Sequence, residues 1–282
     1  LCFPESLTDD DVRAAAAQRS KNRLPAMVWL HPSNKAALVR SAQPFTGVSG
    51  NTRNTEHDVR LCLAIKDLSL VGFTPANEDD HDDYYTSSGG IAGSANGWSH
   101  SHTAKPPLRI ADARPKLNAN ANALQGRGYE SISQFGGSSN ASLLFMDIEN
   151  IHVMRSSISR LREGIVHTGW GWCSVAGGSS STSSSNHNNG VTGFSTTEGL
   201  KMDTEVMHQS NWKTHLSLLL KGAVSIAESM VLGHSVLVHC SDGWDRTSQL
   251  TSLAQILLDP HYRTTEGFLM LLAKEWCAFG HK

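Results

Sequence analysis

Apolar residues recur along the chain with two different periods, and the alternation between those periods outlines an α/β domain. Ile151, Met154, Ile158, Leu161 and Ile165 are spaced 3, 4, 3 and 4, which predicts a helix of about four turns. Trp212, Leu216, Leu219, Leu220, Ala223, Ile226, Ala227 and Met230 predict a second, closed by Gly233 where a left-handed residue ends the helix. Glu56 to Leu70 predicts another, with Leu61, Ile65 and Leu68 on one face. Thr8 before Asp9, Asp10 and Asp11 is an N-cap with acidic residues where the helix dipole favours them. Shorter apolar runs at Leu24–Leu30, Ala36–Ser41, Leu108–Ala113, Leu143–Ile148 and Ser235–His239 predict strands. His31-Pro32-Ser33-Asn34 between the first two is turn chemistry.

Two windows break this pattern. From Gly72 to Pro107 the large aliphatic or Phe side chains are only Phe73 and Ile91, and from Gly169 to Gly199 only Val175, Val191 and Phe194. Ser, Gly and Asn fill both, and the first adds the acidic run Glu78 to Asp83. Such segments bury too little to offset the entropy of ordering them, so both read as disordered insertions in one large domain.

Charge and cysteine usage then exclude several functions. A net charge of −2 without a Lys/Arg cluster argues against nucleic acid as a partner, since a phosphate-binding groove needs several basic side chains. No apolar run reaches the length of a membrane span. The five cysteines are odd in number and lack C-x-x-C spacing, which fits reduced thiols in a cytosolic setting. His100, His102, His208 and His215 make only a weak zinc pattern, because two fall in the first insertion.

The chemistry concentrates between the strand ending at His239 and the helix whose apolar face is Leu250, Leu253, Ala254, Leu257 and Leu258. Cys240-Ser241-Asp242-Gly243-Trp244-Asp245-Arg246-Thr247 joins them, a Cys-x5-Arg loop entering a helix. Backbone N–H groups in such a loop converge on one point, and the helix dipole adds partial positive charge there. A cysteine in that cradle is expected to ionise easily and act as a nucleophile. Arg246 offers a planar fork that matches two phosphoryl oxygens, and Thr247 can donate its hydroxyl to the thiolate.

His-Cys-Ser-Asp-Gly-Trp-Asp-Arg-Thr resembles the active-site loop of the myotubularin family, cysteine-dependent phosphatases of 3-phosphorylated phosphoinositides. The resemblance extends to Arg40-Ser-Ala-Gln43-Pro44 with Gly47, to Asp112-Ala-Arg114-Pro115 with Asn118, Asn122 and Gly128-Tyr129-Glu130, and to Asp147 through Arg155. Trp212, His215 and Lys274-Glu275-Trp276-Cys-Ala-Phe279-Gly280-His281 also match. It implies a protein-tyrosine-phosphatase-like central mixed sheet flanked by helices. It also implies that Cys240 forms a phosphocysteine without metal or cofactor, that Arg246 holds the phosphoryl group, and that Asp245 protonates the leaving oxygen. A carboxyl beside a dianion favours its protonated form, which a general acid needs. Ser241, Asp242, Gly243 and Trp244 would complete the pocket with Asn122, Asn150, Ile151 and Lys282, and His239 would support it. The implied partner is a phosphoinositide head group at a membrane surface, met by a cytoplasmic protein peripheral on endosomal-type membranes. Homo- or heterodimers would form through parts outside this chain. Relatives carry Arg where Lys282 stands and continue for further helices, so the chain is expected to be a C-terminally truncated domain. Lys keeps the charge there and loses the bidentate fork. A phosphotyrosine phosphatase and a catalytically silent phosphoinositide-binding adaptor are the alternatives; the presence of both Cys240 and Arg246 argues against the adaptor.

Overall fold

The structure, a computed structural model, describes residues 4–46, 55–70, 105–167 and 205–281. Most of the two Ser/Gly-rich windows, the acidic run, His100, His102, Gly47 and Lys282 lie outside the described residues. The chain divides into two compact units, Leu1–Asp147 with Leu220–Lys282, and Ile148–Leu219.

The first unit is built on a mixed sheet of five strands in the order β1-β2-β5-β3-β4. These are β1 (Ala26–Leu30), β2 (Ala37–Ala42), β3 (Leu108–Asp112), β4 (Ala141–Phe145) and β5 (Val236–Cys240). β1 is antiparallel to β2, while β2, β5, β3 and β4 are mutually parallel. β5 is therefore central, and every one of its residues is buried, as a strand covered on both faces requires.

Period-2 alternation divides the side chains of β2 and β5 between two layers. Ala37, Val39 and Leu237 join a core with Ala15, Leu61, Cys62, Ile65, Leu108, Ile110 and Phe135, so helices Asp9–Ala17 and Glu56–Lys66 cover that face. Helix Arg246–Leu258 packs against β5 and β2. Within helix Trp212–Val231, Ile226 and Ser229 face Ala111 and Val236. The helix at Asp9 starts on a capping box: Asp11 N–H donates to Thr8 Oγ1 at 3.2 Å and Thr8 N–H to Asp11 Oδ2 at 3.0 Å.

β4 begins and ends earlier than its apolar run suggests. Ala141 and Ser142 pair with Leu108 and Arg109, and the ladder stops at Phe145 because Asp147 turns left-handed at φ 54°. In the second unit, helix Ile151–His167 begins where its 3- and 4-residue spacing places it. Ser157 there donates to the Ser210 carbonyl at 2.6 Å.

Candidate active site

Cys240 ends the central strand, and Arg246 opens the next helix six residues later. The carboxyl end of a parallel sheet is where open α/β folds collect ligands, because loops and helix N-termini converge there. Cys240, Arg246 and Thr247 are buried, at 2%, 8% and 0% exposure. The Gly243 N–H donates to Cys240 Sγ at 3.2 Å. No side chain caps the Arg246 helix, so its first turn opens toward the loop.

These contacts act on the thiol. Burial pushes it up, but the Arg246 guanidinium, the Thr247 hydroxyl and the backbone N–H groups of Gly243 and Thr247 outweigh burial and hold it below the usual thiol range. The Thr247 hydroxyl is buried without another partner, which leaves it available as a donor to thiolate. By contrast, burial and the nearby Asp58 raise the Cys62 thiol. Electrostatics thus set the two buried thiols apart, Cys240 lowered and Cys62 raised.

Gly243 holds the loop against the sheet. Its φ is +75°, and an added Cβ would lie 2.3 Å from the Ser41 carbonyl oxygen of β2. Only glycine fits both the left-handed turn and that approach. Its carbonyl accepts from Arg40 Nη2 at 2.7 Å. Arg40 is buried and also donates Nη1 to Glu275 Oε2 at 2.6 Å and Nη2 to Ser248 Oγ at 2.8 Å. Glu275 accepts in turn from Thr251 at 2.8 Å and from Gln255 at 2.9 Å. The loop therefore rests on a buried ionic group whose members come from β2, the Arg246 helix and the chain end.

A second ionic group lies behind His239. Its Nε2 is 2.8 Å from Glu130 Oε2, and Glu130 Oε1 accepts from Arg19 Nη1 at 2.6 Å. Arg19 also makes a fork with Asp58, at 2.7 and 2.6 Å. Burial pushes the His239 imidazole down, but the Glu130 carboxylate outweighs it and the group is raised, toward imidazolium. Burial would raise Glu130, yet His239 and Arg19 hold it well below the ordinary carboxylate range. Next to it, Arg114 grips Asp112 at 2.9 and 2.7 Å and donates to Gln43 and to the Gly128 carbonyl.

The residues expected to form the site fall into four groups. His239 and Cys240 to Thr247 are brought together. Within that group Arg246 Nη2 lies 3.4 Å from Ser241 Oγ, Asp242 Oδ1 accepts from Ser20 at 3.2 Å, and Arg23 sits 5.7 Å over the Trp244 ring. Asn122 is on helix Lys116–Ala123, which leaves the carboxyl end of β3 beside β5. Asn150 and Ile151 belong to the second unit, where Asn150 Oδ1 caps the helix by accepting from His152 and Val153 N–H at 2.9 and 3.2 Å. Lys282 lies outside the described residues. Arg19 and Arg23 lie in no sequence motif and carry no local signal of their supporting roles, and Glu275, within Lys274–His281, shows its role only through its contact with Arg40. Among the described residues no cluster of His, Cys, Asp or Glu could hold a metal ion.

A mixed sheet whose central strand ends in a lowered thiol, with the Cys-x5-Arg loop around it, is an arrangement suited to holding a phosphoryl group. Sequence comparison names the family: residues 1–282 match the myotubularin-like phosphatase domain, and the chain belongs to that family. It is 36% identical over 283 residues to Myotubularin of Xenopus tropicalis, covering 100% of this chain and 36% of that protein. Phosphatidylinositol-3,5-bisphosphate 3-phosphatase MTMR2 of Mus musculus is 35% identical, over 100% of this chain and 34% of its own length. Phosphatidylinositol-3-phosphatase myotubularin-2 of Arabidopsis thaliana is 36% identical, over 100% of this chain and 29% of its own. The chain thus spans about a third of the length of these relatives.

Proposed function

We propose that the chain is the catalytic domain of a phosphoinositide 3-phosphatase acting on phosphatidylinositol 3-phosphate and on the 3,5-bisphosphate. The observation that carries this reading is the Cys240 thiol, lowered in its cradle with Arg246 at hand. The substrate class comes from the relatives, which are named phosphatidylinositol-3,5-bisphosphate 3-phosphatase and phosphatidylinositol-3-phosphatase.

In the first step the Cys240 thiolate attacks phosphorus. The S–P bond forms as the P–O bond to the inositol breaks, and Asp245 gives its proton to the departing oxygen. Arg246 and the loop N–H groups follow the charge on the three equatorial oxygens. In the second step water attacks the phosphocysteine, its proton passes to the Asp245 carboxylate, and the S–P bond breaks to return thiolate. Thr247 stabilises that thiolate, which makes it the better leaving group. Ser241, Asp242, Gly243 and Trp244 form the immediate pocket, and the family resemblance alone adds Asn122, Asn150, Ile151 and Lys282 as head-group residues. His239 carries the ionic group that fixes the end of β5.

No helix among the described residues is long and apolar enough to cross a membrane. We place the domain at its lipid as a cytoplasmic protein peripheral on endosomal-type membranes, able to form a homo- or heterodimer with family members through parts outside this chain. The test compares phosphate release from short-chain phosphatidylinositol 3-phosphate and from phosphotyrosine peptides. Faster lipid turnover, abolished in Cys240→Ser while lipid binding persists, is the expected result. Faster peptide turnover would refute the substrate class, and binding without turnover in the parent chain would make it an adaptor.

A further inference from the structure

The chain end beyond Glu275 makes a contact that the catalytic scheme leaves unused. Residues Ala273–Ala278 form a π-helix, a rare turn that is enriched at functional sites. Gly280 then turns left-handed at φ 69°, and His281 folds back over Trp276. The His281 N–H donates to the Trp276 carbonyl at 2.9 Å. The two rings meet edge to face with centroids 4.6 Å apart, and Trp276 is itself fixed by its Nε1–H to Ser252 Oγ at 2.8 Å. A third restraint holds the imidazole: Nδ1 is 2.8 Å from the Trp244 carbonyl oxygen. Because a carbonyl only accepts, Nδ1 is the protonated nitrogen.

That same nitrogen lies 3.5 Å from Asp245 Oδ1. Asp245 occupies the N-cap position of the Arg246 helix without capping it, and its Oδ1 is buried with no hydrogen-bond partner. A buried carboxylate oxygen without a donor is uncommon and calls for a reason. The contact is long for a hydrogen bond but within ion-pair range, and catalytic hydrogen bonds often tighten only once substrate is bound. Among the described residues, Cys240, Asp242 and Arg246 are the other titratable groups of this loop, and Arg23 lies over its Trp244 ring.

We infer that His281 is a positioning residue for Asp245: its Nδ1–H, donated to the Trp244 carbonyl and 3.5 Å from Oδ1, is shared with Oδ1 when the site closes on substrate, so that the transferable proton resides on Oδ2. The inference rests on the reading of Asp245 as the general acid. Fixing the proton on one oxygen removes the need to rotate the carboxyl group at the moment of transfer.

The experiment uses two substrates that differ in leaving group. The short-chain 3-phosphorylated lipid expels an inositol alkoxide, which needs a proton. An activated aryl phosphate, difluoromethylumbelliferyl phosphate, expels a stable phenolate that needs none. His281→Ala is expected to lose about tenfold more in kcat on the lipid than on the aryl phosphate, with little change in KM, against a full general-acid contribution of roughly 10²–10⁴. His281→Asn places an amide N–H near the Nδ1 position and is expected to restore most of that selective loss. Equal losses on both substrates, or Asn no better than Ala, would overturn the assignment. Asp245→Asn separates the two ideas. If it loses lipid turnover selectively while His281→Ala does not, the His281 role alone fails; if it loses both equally, the general-acid reading fails and takes the inference with it.

Discussion

Gly243→Ala tests how tightly the cradle is built. The new Cβ would stand 2.3 Å from the Ser41 carbonyl oxygen and 2.8 Å from its carbon, where ordinary contact begins at 3.4 Å. Both obstacles are backbone atoms of a strand locked between β1 and β5, so the loop must yield, by about 1 Å, a misplacement that costs on the order of 10²-fold in rate. That movement stretches the Gly243 N–H contact to Cys240 Sγ, now 3.2 Å, and the Arg40 bond to the Gly243 carbonyl, now 2.7 Å. The left-handed φ of +75° adds a cost to alanine of about 1–2 kcal/mol. The expected variant is folded, less stable by roughly 1–3 kcal/mol, and slower by about two orders of magnitude. Phosphate release from short-chain phosphatidylinositol 3-phosphate reads the rate, and urea unfolding reads the stability. Turnover within about threefold of the parent, less than 1 kcal/mol on the barrier, would show that the loop's seat on β2 does not matter.

The remaining predictions concern the ionic groups and the thiol. Alkylation of Cys240, followed peptide by peptide, should titrate with a midpoint below the free-thiol value of about 8.5, while Cys62, raised by burial, should stay unreactive; Thr247→Val should move the Cys240 midpoint up. Because the folded thiol is lowered, its contribution to stability is present above the free-thiol value and is lost as pH falls through the folded one. Glu130→Gln removes the carboxylate between Arg19 and His239. His239 is raised, so its share of stability is full below about pH 6.5 and fades as pH rises through its folded value; Glu130 is lowered, so its share persists above about pH 4.3. The stability gap between parent and variant in urea should therefore be widest near pH 5–6 and narrow at pH 9; a gap that widened with pH would contradict the sign. Glu275→Ala strands the buried Arg40 guanidinium, which should cost roughly 3–5 kcal/mol and lower the melting temperature by about 10 °C; a shift under about 3 °C, near 1 kcal/mol, would show that water or another group neutralises Arg40.

Local patterns were legible because local forces set them. The 3- and 4-residue spacing from Ile151 to Ile165 marks a helix, and the apolar run into His239 marks the buried β5, which fixes Cys240 at its end. The boundaries of β4 were not legible, since Ala141 and Ser142 join the ladder by pairing with β3 and Asp147 leaves it by a backbone turn. The supporting charges were harder still. Arg19 and Glu130 are 111 positions apart, and Arg40 and Glu275 are 235 apart. In a linear reading an isolated Arg or Glu looks like surface, and only the closed fold shows each buried against its partner. His281 escaped notice as a partner of Asp245 because its approach depends on a π-turn and on Gly280, neither of which has a periodic signature.

Cys240 is the proposed nucleophile, and rapid acid quenching during lipid turnover reads that role at its sulfur. Phosphate is expected on the peptide containing Cys240, accumulating further in Asp245→Asn if an activated aryl phosphate supplies the phosphoryl group, because the second step then lacks its base. Phosphate on another residue, or turnover surviving in Cys240→Ser, would contradict it.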